Sequence, residues 1–326
     1  MAPHHAFPLL LVCRGLAGLL GNSQVALSSY ITDISTTEQC AINMSYGDAS
    51  MTVGFMFGSV LVGVSQAMNV PYALCMFGAA SLNALNLFVT GFMWRDVAPT
   101  RNFTCKQANP LQGFGLLSRS RAVKIYAVMV LLDGISLQVF MTTLSFYAEA
   151  VLGWEKSGTT MLMFEWAFTS AVFMTFLTPK LISMFGETAV LKFGYAVSAV
   201  FYVCISFLDK TTAWLGYFLI LLFSAGCVSP PLTRAFASRE VDASEQGELM
   251  GLFAFLEGIG KIISPLLGSL LLKSEFKGLV FFVAGILLIP GIILSFMLDT
   301  ATTKAGKEER GFTESELSIC ESNASK

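Results

Sequence analysis

The sequence predicts an all-α, polytopic membrane protein with about nine transmembrane helices. Two observations carry this. Of its 326 residues 54% are hydrophobic and only 13% charged, against roughly 45–50% and 25% in soluble domains, and mean hydropathy is +0.67. The apolar residues also fall in runs of about 20, the length that crosses ~30 Å of hydrocarbon. Spans are expected at 8–31, 49–67, 71–93, 123–146, 158–179, 189–208, 211–233, 246–272 and 277–298.

A net charge of −2 excludes nothing by itself, but the distribution of charge is informative. With the N-terminus outside, alternation assigns 14 of the 20 basic residues to cytosolic segments, among them Arg95, Arg119, Arg121, Arg234, Arg239 and Lys307. Lys156, Lys210, Lys273 and Lys277 fall on the other side, and Arg14 and Lys261 inside spans. This follows the positive-inside rule and predicts an integral, multi-pass protein with an outside or luminal N-terminus and a cytosolic C-terminus. The loop 32–48 is assigned to the cytosol although it has no Lys or Arg.

The first span, with its neighbours to residue 93, is read as a partial N-terminal bundle of three helices. A cytosolic linker follows at 94–122, in which Asn109-Pro110 has the chemistry of a helix start and predicts a short helix at the membrane surface. Residues 123–298 form a complete six-helix bundle, and 299–326 read as a disordered polar tail. Trp94, Trp154 and Trp214 lie near span ends, as headgroup anchors do. Residues 1–7 lack the basic flank of a signal peptide. The seven cysteines are scattered with no CxxC pair, so neither a disulfide framework nor a metal site is expected. The sequons at Asn43, Asn102 and Asn323 are placed in the cytosol and should stay unmodified.

The chain carries an internal repeat. Tyr30–Gly63 can be laid over Arg234–Gly268, aligning Ser35-Thr36-Thr37-Glu38-Gln39 with Asp242-Ala243-Ser244-Glu245-Gln246, and Ser59-x-x-x-Gly63 with Ser264-x-x-x-Gly268. In both copies a capping-box pattern, Ser35 to Glu38 and Asp242 to Glu245, precedes a glycine-rich span. Parallel six-helix repeats are one plan of secondary transporters. On that plan spans 1–3 answer to helices 4–6 of a first repeat and spans 4–9 to the whole of a second.

Four further features resemble the major facilitator superfamily, in particular its proton-coupled drug-antiporter and tetracycline-resistance branch. Arg14-Gly15-Leu16-Ala17-Gly18 looks like the R-x-x-x-G motif of helix 4, with Arg14 and Gly18 in the motif positions. Tyr30-Ile31-Thr32-Asp33-Ile34 resembles the run ending that helix, with Asp33 its acid. Gly54, Gly58, Ser59 and Gly63 resemble the helix 5 antiporter motif, with Ser59 in place of its Pro and Val62 in place of one Gly. Asn109-Pro110-Leu111 resembles the segment before helix 7. The resemblance covers about 8–298 and implies a twelve-helix plan of which helices 4–12 are represented. It further implies secondary, efflux-type transport of a small organic solute, with a proton as the coupling ion. The alternative is a truncated, non-transporting member that regulates or partners another transporter, or an incomplete gene model.

Charge in the middle of a membrane costs ~3 kcal/mol or more, so each such residue requires a reason. Asp133 and Glu165 have no partner three or four residues away, and a carboxyl group withdrawn from water can load and release a proton near neutral pH. They are the leading proton-coupling candidates, and the competing reading pairs each with a buried cation from another helix. Glu257 and Lys261 have the spacing of a helical ion pair, which is the favoured reading for both, with proton coupling second. Arg14 is linked to proton transfer only through the resemblance. Gln138, Phe140, Phe164, Trp166, Asn83 and Asn86 could wall an aromatic substrate pocket, although Asn and Gln in spans also serve as glue between helices. Gly54/Gly58 and Gly247/Gly251 are expected to let helices approach closely. No nucleophile motif, P-loop or H-E-x-x-H is present, and nothing suggests nucleic-acid binding. The expected partners are the lipid bilayer, a small-molecule substrate and the proton, with no cofactor, metal or enzyme activity.

Overall fold

The computed structural model describes residues 8, 9, 11–13, 15, 16, 18, 23–93, 113–242 and 245–298, and no strand occurs among them. The helices are α1 Ser23–Ile34, α2 Cys40–Ala67, α3 Tyr72–Met93, α4 Phe114–Arg119, α5 Arg121–Leu152, α6 Ser157–Phe185, α7 Glu187–Ser206, α8 Leu215–Ser238, α9 Gln246–Leu271 and α10 Leu279–Leu298. Eight of them, α2, α3 and α5–α10, are long and apolar enough to cross a bilayer. The predicted first span is described only in part, ending in α1. Arg14, Asn109, Pro110 and the tail lie outside the described residues.

Punctuation residues set the helix ends. Asn69 takes a positive φ of 52° between α2 and α3, a conformation Asn tolerates well. The Ser120 hydroxyl accepts a hydrogen bond from Val123 N (3.4 Å) and starts α5. The predicted surface helix is α4, which ends at Ser120. α5 closes in a π turn, Ala148–Leu152, stopped by Gly153 at φ 68°. A second π turn, Phe173–Leu177, lies just before Pro179 in α6. Proline has no N–H for the helical ladder, and the widened turn absorbs the missing bond.

Three boundary expectations are corrected. Residues 40–48 belong to α2 and not to a loop, because the polar side chains there have protein partners: Asn43 donates to Ser35 Oγ (2.8 Å) and Asp48 meets Arg234. Arg234 in turn lies inside α8, not in a loop. Neither predicted capping box forms, since Gln39 and Glu245 occupy the N-cap positions without a side-chain cap. Glu245 instead binds Arg119 (2.7 Å).

α5 packs most extensively against α9, α2 against α6, and α7 against α8. The densest core is aromatic. Phe201 stacks on Phe223 while Phe140 meets both at an angle, at 4.6–5.5 Å between ring centroids, and Tyr147 meets Phe281 at 4.9 Å. The buried Tyr147 hydroxyl donates to the carbonyls of Ile205 and Leu208, both at 3.0 Å, as a hydroxyl removed from water must.

The close approach expected at Gly54/Gly58 and Gly247/Gly251 occurs elsewhere. A Cβ at any of those four would meet nothing within 4 Å, whereas one at Gly260 would meet the Gly134 and Ile135 backbone at 3.1–3.2 Å. Ser264 adds a bond from its hydroxyl to the Ile135 carbonyl (3.1 Å) across the same α5–α9 seam. Gly260→Val should therefore destabilise the protein by about 1–3 kcal/mol through overpacking. Thermal unfolding in detergent measures this, with Gly251→Val as the control expected to be nearly silent.

The α7–α8 loop is ordered by one carboxylate. Asp209 Oδ1 accepts from the Thr211 hydroxyl (2.6 Å) and from the N–H and hydroxyl of Thr212 (both 2.9 Å). These bonds hold its pKa down to about 2. A depressed carboxylate contributes order that is full above about pH 4, its unfolded value, and fades as pH falls towards about 2. Hydrogen exchange at Thr211 and Thr212 should accelerate over that window. Asp209→Ala should exchange fast throughout and show no such step.

Candidate functional site

One end of the bundle, where α5, α7 and α9 begin and α6 and α8 end, is closed by contacts that join α1 and α2 to the later helices. Arg239 forms a two-pronged pair with Glu187 (2.6 and 2.9 Å) and donates to the Thr37 carbonyl (2.7 Å). Glu187 beside it holds the Arg239 pKa above its ordinary value. Cys40 Sγ lies 3.7 Å from Ser238 Oγ.

One turn deeper is the main charged constellation. Arg234 Nη1 donates to both oxygens of Asp48 (3.1 and 2.9 Å), and its Nη2 donates to Glu257 Oε1 (3.2 Å). The guanidinium side chain is 9% exposed, so α2, α8 and α9 are tied together through one nearly dry cation. Arginine suits this position because its planar fork serves two carboxylates at once and stays charged.

Behind the triad lies a cavity of about 150 Å³. Asp133, Gln138, Trp166, Phe55, Tyr195 and Lys261 line it together with the triad. The Tyr195 hydroxyl is 3.1 Å from Thr233 Oγ1. Asp133 has no hydrogen bond and no ion pair within 4 Å among the described residues, and the same holds for Lys261. The buried Trp166 Nε1 has the Cys227 thiol of α8 as its partner, and its ring meets Phe55 edge-on at 5.9 Å. A wider cleft of about 1180 Å³ adjoins this cavity, sharing Met51, Phe55, Leu137, Gln138 and Trp166. Gly54, Gly58, Ser59 and Asn83 line it further toward the opposite end.

The predicted site residues divide accordingly. Asp133, Glu257, Lys261, Gln138 and Trp166 come together in the cavity, and Asn83, Gly54 and Gly58 in the cleft. Glu257 pairs with Arg234 and not with Lys261, a correction explained by the fixed two-pronged reach of the guanidinium against a flexible lysine one turn away. Phe140 is not a pocket wall: it is fully buried in the aromatic core. Glu165 lines neither space, and Tyr217 of α8 is the titratable group near it. Asn83 donates to Ala79 O and Asn86 accepts from Thr90, so α3 satisfies its own amides. Asp33 is exposed. A Cβ on Gly63 would meet Thr160 at 3.7 Å, and one on Gly18 would meet nothing within 4 Å. Asp48 and Arg234 were missed, and the signal for them was the basic-free stretch 32–48, which is anomalous for a cytosolic loop.

The chain as a whole is similar to known proteins. The tetracycline resistance protein, class C, of Escherichia coli is 25% identical over 265 residues, which is 79% of this chain and 65% of that protein. The quinolone resistance protein NorA of Staphylococcus aureus is 21% identical over 304 residues, 89% of this chain and 73% of that one. The chain thus spans about two thirds to three quarters of the length of these relatives. The crystal structure of the human organic anion transporter MFSD10 superposes with a TM-score of 0.70 at 18% identity, covering 89% of this chain and 71% of that one. FucP, captured in an outward conformation, gives 0.64 at 12% identity, covering 84% and 72%. The family model of the Major Facilitator Superfamily matches residues 1–260 and 170–321. The chain is a multi-pass membrane protein that belongs to the Major Facilitator Superfamily.

Proposed function

We propose that this chain carries out secondary transport of a small organic solute in exchange for protons, with Asp133 as the group that loads and releases the proton. The observation that supports this reading most is the position of Asp133. It stands on α5 in the cavity wall, without an ion-pair partner within 4 Å among the described residues, beside an ion network that bridges α2, α8 and α9. A proton on Asp133 changes the charge of the cavity, and that change biases the network that holds one end shut. The bias can be no larger than the difference in affinity of proton and solute for the two states.

The basic residues support placing the closed end, with Arg239 and Arg119, in the cytosol, and the cleft toward the outside or lumen. Residues up to 93 then belong to one bundle and 123–298 to the other, with transport between them by rocking. The names of the relatives support export of an amphiphilic organic compound.

Purified protein in liposomes with an entrapped pH dye tests the reading. Adding tetracycline or a quinolone to vesicles holding a pH gradient should dissipate the gradient faster than in protein-free vesicles. An ionophore that collapses the gradient beforehand should abolish net solute movement. Solute accumulation that is indifferent to the gradient would rule out proton coupling.

A further inference from the structure

A groove of about 470 Å³ runs between α2 and α6 at the cleft end of the bundle, away from the charged cavity. Its chemistry changes with depth. At the mouth are Gln66, the last residue but one of α2, and Ser157, the first of α6. About 10 Å further in, at 1.5 Å of rise per residue, the walls are Val60 and Phe164, with Met161 between the two levels. The groups at the mouth are uncommitted: the Gln66 amide and the Ser157 hydroxyl have no hydrogen-bond partner among the described residues. Ser59, deeper, already donates to the Phe55 carbonyl of its own helix (3.0 Å). Among the described residues no Asp, Glu, Lys or Arg lines the groove. This order, uncharged donors above and an apolar wall below, is that of an amphiphile standing in a bilayer leaflet. The apolar wall gives no preference by itself, because lipid chains are as apolar as Val and Met. Preference has to come from the two donors at the helix ends. The ester and phosphodiester oxygens of a glycerophospholipid lie at that level, and they accept hydrogen bonds without a hydrogen of their own to give.

We propose that this groove seats one glycerophospholipid, with its ester or phosphate oxygens on Gln66 and Ser157 and one acyl chain along Val60, Met161 and Phe164. The groove and the cleft share Ser59 and Thr160. A Cβ on Gly63 would still stand 3.7 Å from Thr160, so at that level the two helices leave room for a methyl group between them. The seated chain covers this gap and closes the cleft off from the bilayer. The inference concerns lipid alone and stands whether or not the proton-coupled reading does.

The test titrates the full chain, stripped of lipid in detergent, with dioleoylphosphatidylcholine and counts bound lipids by native mass spectrometry. One lipid should bind ahead of the rest and saturate. Gln66→Leu combined with Ser157→Ala should weaken that first step about tenfold, the loss expected for two hydrogen bonds. Val60→Trp or Met161→Trp fills the groove and should remove the step. Val200→Trp, on the exposed face of α7, should leave it unchanged. Val60 and Met161 already face outward, and thermal unfolding of the lipid-free variants separates a lost lipid from a lost fold. If both tryptophan variants unfold, the Gln66/Ser157 pair decides alone. A first step of equal strength in wild type and in every folded variant would mean ordinary surface lipid and overturn the proposal. Displacement of the first lipid by saturating tetracycline would overturn it too, because the groove would then be a seat for solute.

Discussion

On the proposed function, Asp133→Asn should abolish gradient-driven transport while leaving the protein folded. The substitution is nearly isosteric and keeps a polar group in the cavity, so the helices around it have no reason to move. What disappears is the ability to alternate between a charged and a neutral form. A coupling free energy of 1–3 kcal/mol between two ligands corresponds to about 5–150-fold in the effect of one on the other. Net solute movement driven by a pH gradient should fall by that range, to the level of passive leak. Solute-for-solute exchange at equal pH on both sides needs no proton step and should persist. Proteoliposomes reconstituted with the variant measure both fluxes in parallel. Gradient-driven flux at the wild-type rate would remove Asp133 from the mechanism and return attention to Asp48 and Glu257, the other carboxylates that line the cavity.

Arg234→Met is expected to be the most destabilising single change in the described structure. It removes the one cation that answers both Asp48 and Glu257 and leaves two carboxylates facing each other in a nearly dry space. Breaking a buried ion pair from one side costs about 3–5 kcal/mol, because the surviving charge has lost its partner. The loss should show as a lower unfolding temperature in detergent and a poor yield of folded protein. The diagnostic is rescue: adding Asp48→Asn and Glu257→Gln to Arg234→Met removes the stranded charges and should restore most of the stability. A triple variant as unstable as the single one would show that the arginine acts through packing and not through charge. Either single carboxylate variant should be milder than Arg234→Met, because the guanidinium keeps its other partner.

The fold was readable where membrane physics is blunt. Runs of about 20 apolar residues allow no compact alternative, so α7, α9 and α10 lie close to their predicted boundaries, while α5 runs six residues past its predicted end. Where polar side chains continue a helix, hydropathy is silent. Asp48, Asn43 and Ser45 at the start of α2 looked like a loop because the partners that make them acceptable inside, Arg234 and Ser35, are on other elements or beyond the span's apparent end. The same blindness put Arg234 outside the membrane. In the site, Asp133, Gln138, Trp166 and Lys261 could be named because an isolated charge or amide in an apolar run invites a functional reading. Phe140 could not be told from a pocket wall, since an aromatic residue on a helix has the same periodicity whether it faces a cavity or Phe201 and Phe223. The pairing of Glu257 failed for a related reason: spacing along one helix shows which partner is near, not which partner on a neighbouring helix has the better geometry.

Gly54 and Gly58 contact nothing across the helix, and their bare backbone forms part of the cleft lining. The width of the cleft is therefore set at these two positions by the absence of side chains, and helix packing does not depend on it. Bulk added there should narrow the cleft in a protein that assembles normally.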